Sequence, residues 1–234
     1  MSAAGERPRI QLRGLTGHGS GGVRGAVLVL EGASRAELQR ASALGALLAD
    51  SCILVAVDGG LNTCRRGRRR PDLYVGDADS AKRIPGSIPS VVYTTQKDFS
   101  DLAGALRELR SRKIRLVVLA GLLGGRLDHE WANLLELAAK ADWFAGVLAP
   151  TDRGTLLITS RGCRAVTVRN RTVSVLALSA AARVSLRGTR WTLKRRRVVP
   201  GSLGLSNVTG KALDLVVHTG AVALVFPLAR RIRR

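Results

Sequence analysis

The sequence predicts an α/β fold: a parallel-sheet domain followed by an all-β domain. Three observations carry this. Short continuous apolar runs alternate with helical patterns from Gly25 to about Thr151. From about Gly154 the apolar period drops to two. The two textures meet at a break near 150–153, marked by Pro150, Asp152 and Gly154. Buried parallel strands read as unbroken Val/Ile/Leu runs, whereas strands with one wet face alternate.

Taken in order, residues 1–24 read as a disordered tail. GAVLVL (25–30) reads as a buried strand, and Ser34 as the cap of a helix to about Ala49. CILVAV (52–57), LYV within PDLYVGDADS, and VVY (91–93) read as strands, and VDGGLN as a turn. Ser100 precedes a helical pattern to about Arg112. RLVVLA (115–120) is a further strand, and Asp128 opens a helix to about Ala141. The domain limits are thus 25–152 for the α/β part and 153–228 for the β part. The β part holds TLLITS, RAVTVRN, TVSVLALS, ARVSLRG, ALDLVVH and AVALVFPL. Such strands predict a sandwich or open barrel. Residues 229–234 are a basic tail.

Composition narrows the function. The formal net charge is +21, with 38 Lys and Arg against 17 Asp and Glu. Arginine supplies 32 of those cations, and no aromatic platform interleaves with the clusters, so no specific nucleic-acid partner is expected. No apolar run reaches the ~20 residues that span a bilayer. The three cysteines are widely spaced and form no CxxC pair, which suits a reduced, cytoplasmic compartment without a zinc site.

Against that basic background, six of the seventeen acids fall between Asp58 and Asp101: Asp58, Asp72, Asp77, Asp79, Asp98 and Asp101. Carboxylates gathered this closely repel unless a cation neutralises them. Mg2+ takes oxygen ligands and shares them with substrate phosphates. Asp58 follows a strand directly, at the edge of an open sheet where ligands bind. Gly59 and Gly60 let the backbone come close to a ligand. Asp77 and Asp79, two apart on an extended segment, face one side, and Lys82 is the lysine beside them. Asp98 and Asp101 lie at a helix entry, where Asp98 can be the cap and Asp101 a first-turn acid. Gly121, Gly124 and Gly125 lead into a helix N-terminus, a phosphate cradle, with Arg126 able to grip phosphate through two nitrogens. Asp128 caps that helix or meets a ligand. His129 has no Ser or Cys partner at a triad spacing.

Five segments in order resemble the thiamin pyrophosphokinase (thiamin diphosphokinase) family: DGGLN (58–62), PDLYVGDADS (71–80), QKDFSDLAGAL (96–106), GGRLDHEWANLLEL (124–137) and GLSN (204–207). The resemblance runs over about residues 25–227 and implies an α/β nucleotide-binding domain followed by a β-sandwich. It implies a homodimer that binds thiamin between the α/β domain of one subunit and the β domain of the other. The implied reaction is Mg2+-dependent transfer of the terminal two phosphates of ATP to the thiamin hydroxyl, leaving AMP. By position, Asp58, Asp77, Asp79 and Asp101 match the metal and phosphate carboxylates, and Asp98 joins them in catalysis. Gly59, Gly60, Asn62, Gly124, Gly125, Arg126 and Asp128 match the ATP site. Gln96, Asp98, Ser206 and Asn207 match the thiamin site. Val208 and Thr209 stand where many bacterial members carry an acid and an aromatic, which leaves Trp191 in GTRWTL as the stacking candidate. Two other readings stay open: a pyrophosphokinase for another alcohol such as a pterin, and a non-catalytic nucleotide- or nucleic-acid-binding module.

Overall fold

The computed structural model describes residues 9–15, 22–77 and 84–228. The order of elements is β1 (Arg9–Leu12), β2 (Arg24–Val29), α1 (Arg35–Leu48), β3 (Ser51–Val57), α2 (Gly60–Arg66), β4 (Leu73–Gly76), β5 (Ser90–Val92), α3 (Asp101–Ser111), β6 (Leu116–Ala120), α4 (Leu127–Ala139) and β7 (Gly146–Thr151). Then come β8 (Gly154–Thr159), β9 (Gly162–Val166), β10 (Thr172–Ala177), β11 (Ala182–Thr189), β12 (Leu193–Val198), β13 (Asn207–Thr219) and β14 (Val222–Pro227). The result is a mixed α/β protein dominated by β-sheet.

The apolar runs of the first half pair in parallel: β5, β4, β3, β2, β6 and β7 lie side by side in that order. The inner strands are buried on both faces, with Leu28, Val29, Val55, Ala56, Val118 and Leu119 fully covered, while the edge strand β5 is largely exposed. One face packs on α1 and α2 through Leu38, Ala41, Leu61 and Cys64. The other packs on α3 and α4 through Leu102, Leu106, Leu109 and Leu137. Local chemistry sets the helix starts. Ser34 caps α1 and Glu37 reaches back to the Ser34 N–H, a reciprocal pair that stabilises a helix start by ~1 kcal/mol.

The sheet does not stop at the predicted boundary. β8 pairs antiparallel with β7, β14 with β8, and β10 with β14, so residues 152–153 lie in a hairpin within one continuous sheet. A second antiparallel layer runs β1, β9, β13, β11, β12 and joins β10 through Thr172 and Val173. Leu157, Val175 and Leu224 of the first layer share an apolar cluster with Val184, Leu213 and Leu215 of the second.

Several expectations need correction. Arg9–Leu12, assigned to a disordered tail, is β1. Ile10 and Leu12 are buried along β9, and four residues are too few for a period to show. VDGGLN is more than a turn, since α2 begins at Gly60. α4 starts at Leu127 with Arg126 as its cap residue, so Asp128 sits in the first turn and does not cap. Ser100 caps α3 in place of Asp98. β7 and β12 went unread: Pro150 breaks one pattern and three consecutive arginines the other. The basic tail 229–234 lies outside the described residues.

Candidate active site

The carboxyl ends of β3, β4 and β6 form the edge to which the acidic segments attach. Asp58 follows β3 with φ +43°, a left-handed conformation that Asp tolerates better than bulkier residues. Its N–H donates to the Val75 carbonyl at 2.9 Å, and Tyr74 donates its hydroxyl to Asp58 Oδ1 at 3.4 Å. The glycines that follow are there for packing. A Cβ on Gly60 would lie 1.8 Å from the Val29 carbonyl oxygen, and one on Gly59 2.8 Å from the Glu31 side chain. The DGG signal therefore reports the seating of α2 against the end of β2. Asn62 is half-buried on α2, where its carbonyl oxygen accepts from Arg65 at 3.5 Å. Asp72 leaves the group altogether: its carboxylate accepts the Leu54 N–H at 2.8 Å.

The centre of the site is a cation that the sequence reading passed over. Lys97 Nζ lies 2.5 Å from Asp77 Oδ2 and 3.1 Å from Asp101 Oδ1, and the Lys97 and Asp77 side chains are only 8% and 10% exposed. Lys97 is the i−4 neighbour of Asp101 in QKDFSD, and that spacing was the available signal. The expected neighbour Lys82, like Asp79, lies outside the described residues. Asp101 Oδ1 is buried and accepts no hydrogen bond in good geometry, so Lys97 serves it as a point charge. Burial pushes the Asp101 carboxyl up; Lys97 opposes this, while the charges of Asp77 and Asp58 add to it. Burial also works against the Lys97 charge, but the two carboxylates beside it, Asp77 and Asp101, outweigh this and raise its pKa. Asp58, Asp77 and Asp101 are thus electrostatically one group. Among the described residues no three metal-ligating side chains converge into a cage. The donor chemistry nevertheless fits a hard divalent ion: all-oxygen, anionic, with one buried carboxylate oxygen lacking a hydrogen bond. Gln96 and Asp98, in the same segment, are exposed.

The glycine loop after β6 already holds an anion. Glu130 Oε1 accepts the N–H groups of Gly124 and Gly125, at 2.5 and 3.0 Å. Arg126 grips Asp128 with two nitrogens, at 3.2 and 2.6 Å, and that hydrogen bonding holds the Asp128 carboxyl below the usual range. Both groups are exposed. The expected cradle therefore exists, with a side-chain carboxylate in the place of a phosphate oxygen.

The GLSN segment lies elsewhere. Ser206 is exposed with φ +57°, and its N–H donates to Ser174 Oγ at 3.1 Å. Asn207 is buried and its amide is spent inside the chain. Oδ1 accepts from the N–H groups of Trp191 (3.1 Å) and Val208 (2.8 Å), and Nδ2 donates to the Trp191 carbonyl (2.7 Å) and Thr189 Oγ1 (3.2 Å). Asn207 thus clamps both backbone groups of Trp191, a residue that is 56% exposed. From β10, beside Asn207, to β3, beside Asp58, is six strand spacings, about 29 Å at ~4.8 Å each.

Residues 44–143 match the family model described as the thiamin pyrophosphokinase catalytic domain. This segment is similar to a thiamin pyrophosphokinase catalytic domain. The match takes in every acidic and glycine-rich segment above and stops short of Trp191, Ser206 and Asn207. Solved structures share the fold. Thiamine pyrophosphokinase from Bacillus subtilis superposes with a TM-score of 0.69 at 17% identity, over 87% of this chain and 98% of that one. Thiamin pyrophosphokinase from Geobacillus thermodenitrificans gives 0.66 at 19%, over 89% and 99%. Thiamin pyrophosphokinase from Candida albicans gives 0.67 at 13%, over 96% and 99%. No curated protein sequence matches the chain.

Within the matched segment, Lys97 and Asp101 make a testable pair. Lys97→Met removes the charge that holds the Asp101 carboxyl down. The acid limb of the kcat/KM profile should move to higher pH, because protonated Asp101 then persists further up the scale. The same sign governs stability. A carboxyl raised on folding adds stability at low pH that is lost as pH rises through its folded pKa, so the variant should be hurt more at pH 8 than at pH 4. An acid limb that stays in place would show that Lys97 does not govern Asp101.

Proposed function

We propose that this protein transfers pyrophosphate from ATP to the hydroxyl of thiamin, giving thiamin diphosphate and AMP, with Mg2+ required. The observation that carries this reading is the Asp58–Asp77–Asp101 group on the carboxyl edge of the parallel sheet, inside a segment of thiamin pyrophosphokinase type. Asp58, Asp77, Asp79 and Asp101 would hold Mg2+, which neutralises phosphate charge and orients the oxygens. The acceptor oxygen attacks the β-phosphorus, and the bond to the oxygen bridging α and β breaks, so that AMP departs with the electron pair. Asp98, exposed and placed with Gln96 on the acceptor side, takes the hydroxyl proton, since Asp101 is committed to the metal. Lys97 offsets charge between Asp77 and Asp101. Gly59, Gly60 and Asn62 line the ATP side. Gly124, Gly125 and Arg126 bind phosphate once Glu130 and Asp128 release them. Cysteine chemistry has no part, since burial pushes the Cys64 and Cys163 thiols up to about 11 and about 12.

The reading includes a homodimer. At ~4.8 Å per strand, Trp191, Ser206 and Asn207 lie several times a thiamin's length from the acidic group of their own chain. A second copy can bring its 153–228 half to the 25–152 half of the first. Trp191 and Ser206 then face the acceptor rings, and Asn207 acts by holding Trp191. Three free cysteines fit a reducing cytoplasm, and among the described residues no helix is long and apolar enough to cross a membrane.

The deciding assay is AMP release from Mg-ATP with thiamin, with a pterin alcohol, and with no acceptor. AMP with thiamin alone is the expected result; AMP only with the pterin, or none at all, would overturn the reading. Glu130→Ala gives a finer check. Freeing the Gly124 and Gly125 N–H groups should lower the KM for ATP by about three- to tenfold, the worth of one charge-assisted hydrogen bond no longer in competition. A raised KM would show that Glu130 organises the loop and does not compete with phosphate.

A further inference from the structure

Helix α4 is more apolar than its place in the fold requires. Among the described residues of α4, thirteen in all, Leu137 alone is buried, whereas the eleven-residue α3 on the same sheet face buries six. Leu127, Trp131 and Leu135 are 69%, 62% and 63% exposed. Their spacing of four sets them on one side of the helix, a ridge ~12 Å long at 1.5 Å per residue. A helix that is apolar beyond its core stripe needs a cover, and a contiguous exposed apolar patch marks a contact surface. The ridge starts at the residue after Arg126, so its cover also approaches the glycine loop.

The β half presents an apolar knob of its own. Leu203 and Leu205, in the loop between β12 and β13, are 53% and 50% exposed. Gly204 between them is pinned to β10: its carbonyl accepts the Val175 N–H at 2.9 Å, and a Cβ there would lie 1.8 Å from the Val175 carbonyl oxygen. The loop is thus fixed at its middle residue while the leucine on either side stays in solvent. Charge decides which halves can meet in a pair of chains. Residues 25–152 carry 17 cations against 15 acids, whereas residues 153–234 carry 17 against one. Two β halves face to face would bring two strongly basic surfaces together. A β half laid on the nearly balanced α/β half of a second copy avoids that, and α4 offers it Asp128, Glu130 and Glu136. A contact of α4 on α4 would leave the knob bare.

We propose that the Leu127–Trp131–Leu135 ridge is the seat for the Leu203–Leu205 knob of a second copy of this chain, a contact made twice per dimer by two-fold symmetry. This rests on the two-chain site proposed above and names the surfaces that build it. Ser206 follows Leu205 directly, so the docked knob carries the partner's Ser206 towards the Gly124–Arg126 loop from which α4 grows.

The test is sedimentation velocity of the full-length chain with no ligand added. The parent should be a dimer at micromolar concentration. Trp131→Glu should raise the dissociation constant about a hundredfold or more, since it sets a charge against leucine at the centre of the contact. Trp131 is exposed within its own chain, so the circular dichroism of the variant should match the parent. Leu203→Lys/Leu205→Lys should dissociate the dimer in the same way. Mixing these two variants, differently tagged, should then restore a dimer with one chain of each kind. In that dimer one contact is native and the other sets glutamate against lysine, whereas each variant alone has two mismatched contacts. Recovery on mixing therefore cannot come from misfolded chains. A monomeric parent, a Trp131→Glu chain that dimerises like the parent, or a mixture that stays monomeric would each overturn the proposal. Sedimentation needs no acceptor. Failure here reads as a change of mass and failure of the thiamin reading as missing AMP release, so the two are separately visible.

Discussion

Asp77→Asn should lose activity by about 2–4 kcal/mol, roughly thirty- to a thousandfold in kcat/KM, the usual worth of a preorganised charge in a phosphoryl-transfer site. The side chain is 10% exposed, sits against Lys97, and belongs to the group that includes Asp58 and Asp101. Its removal takes one of two carboxylates from Lys97, so the charge balance fails along with the proposed metal ligation. Stability should move by less than about 1 kcal/mol, because relief of carboxylate repulsion offsets the weakened ion pair. Turnover within threefold of the parent at saturating Mg2+, measured by AMP release, would remove Asp77 from the metal site. A large drop in melting temperature would instead make the Lys97–Asp77 pair a structural one.

Mixing two dead variants should restore activity. Asp77→Asn disables the acidic half of a shared site and Trp191→Ala the acceptor half. If subunits exchange at random, half the dimers are mixed, and each mixed dimer holds one intact composite site of two. The recovery expected is about a quarter of parental turnover from this symmetry. The motive is the placement of Asn207, which holds Trp191, beside β10, six strand positions from β3 and Asp58. Mixed dimers demonstrated by differential tagging, with turnover still at the level of the parents, would mean that each chain builds its site alone.

The sequence made the parallel half legible because its signals are local. Unbroken apolar runs gave β2, β3, β4, β5 and β6 to within a residue or two. Ser34 and Ser100 marked the starts of α1 and α3 because capping involves neighbours three residues on. Period two gave all six of the strands expected in the second half. Strands whose partners decide them were not legible: β1 rests on β9, from 150 residues further along the chain, and β12 has no buried face between 194 and 197 to set a period. The same division runs through the site. Residue type and order brought Asp58, Asp77 and Asp101 forward, since carboxylates in a chain of charge +21 are conspicuous.

By itself, then, the sequence determined the chemistry available: an all-oxygen acidic group, a glycine loop before a helix, and a basic β half. The tertiary structure decided who meets whom. It set Lys97 between Asp77 and Asp101, put the Glu130 carboxylate in the phosphate loop, and turned the Asn207 amide inward to hold Trp191. It also spread the two halves of the proposed site along one continuous sheet. The physical reason is range. Apolar periodicity and capping act over a few residues and are written in the local sequence. Ion pairs, buried amides and strand order depend on which distant segments the hydrophobic core brings within 3 Å, and only the packed chain fixes that.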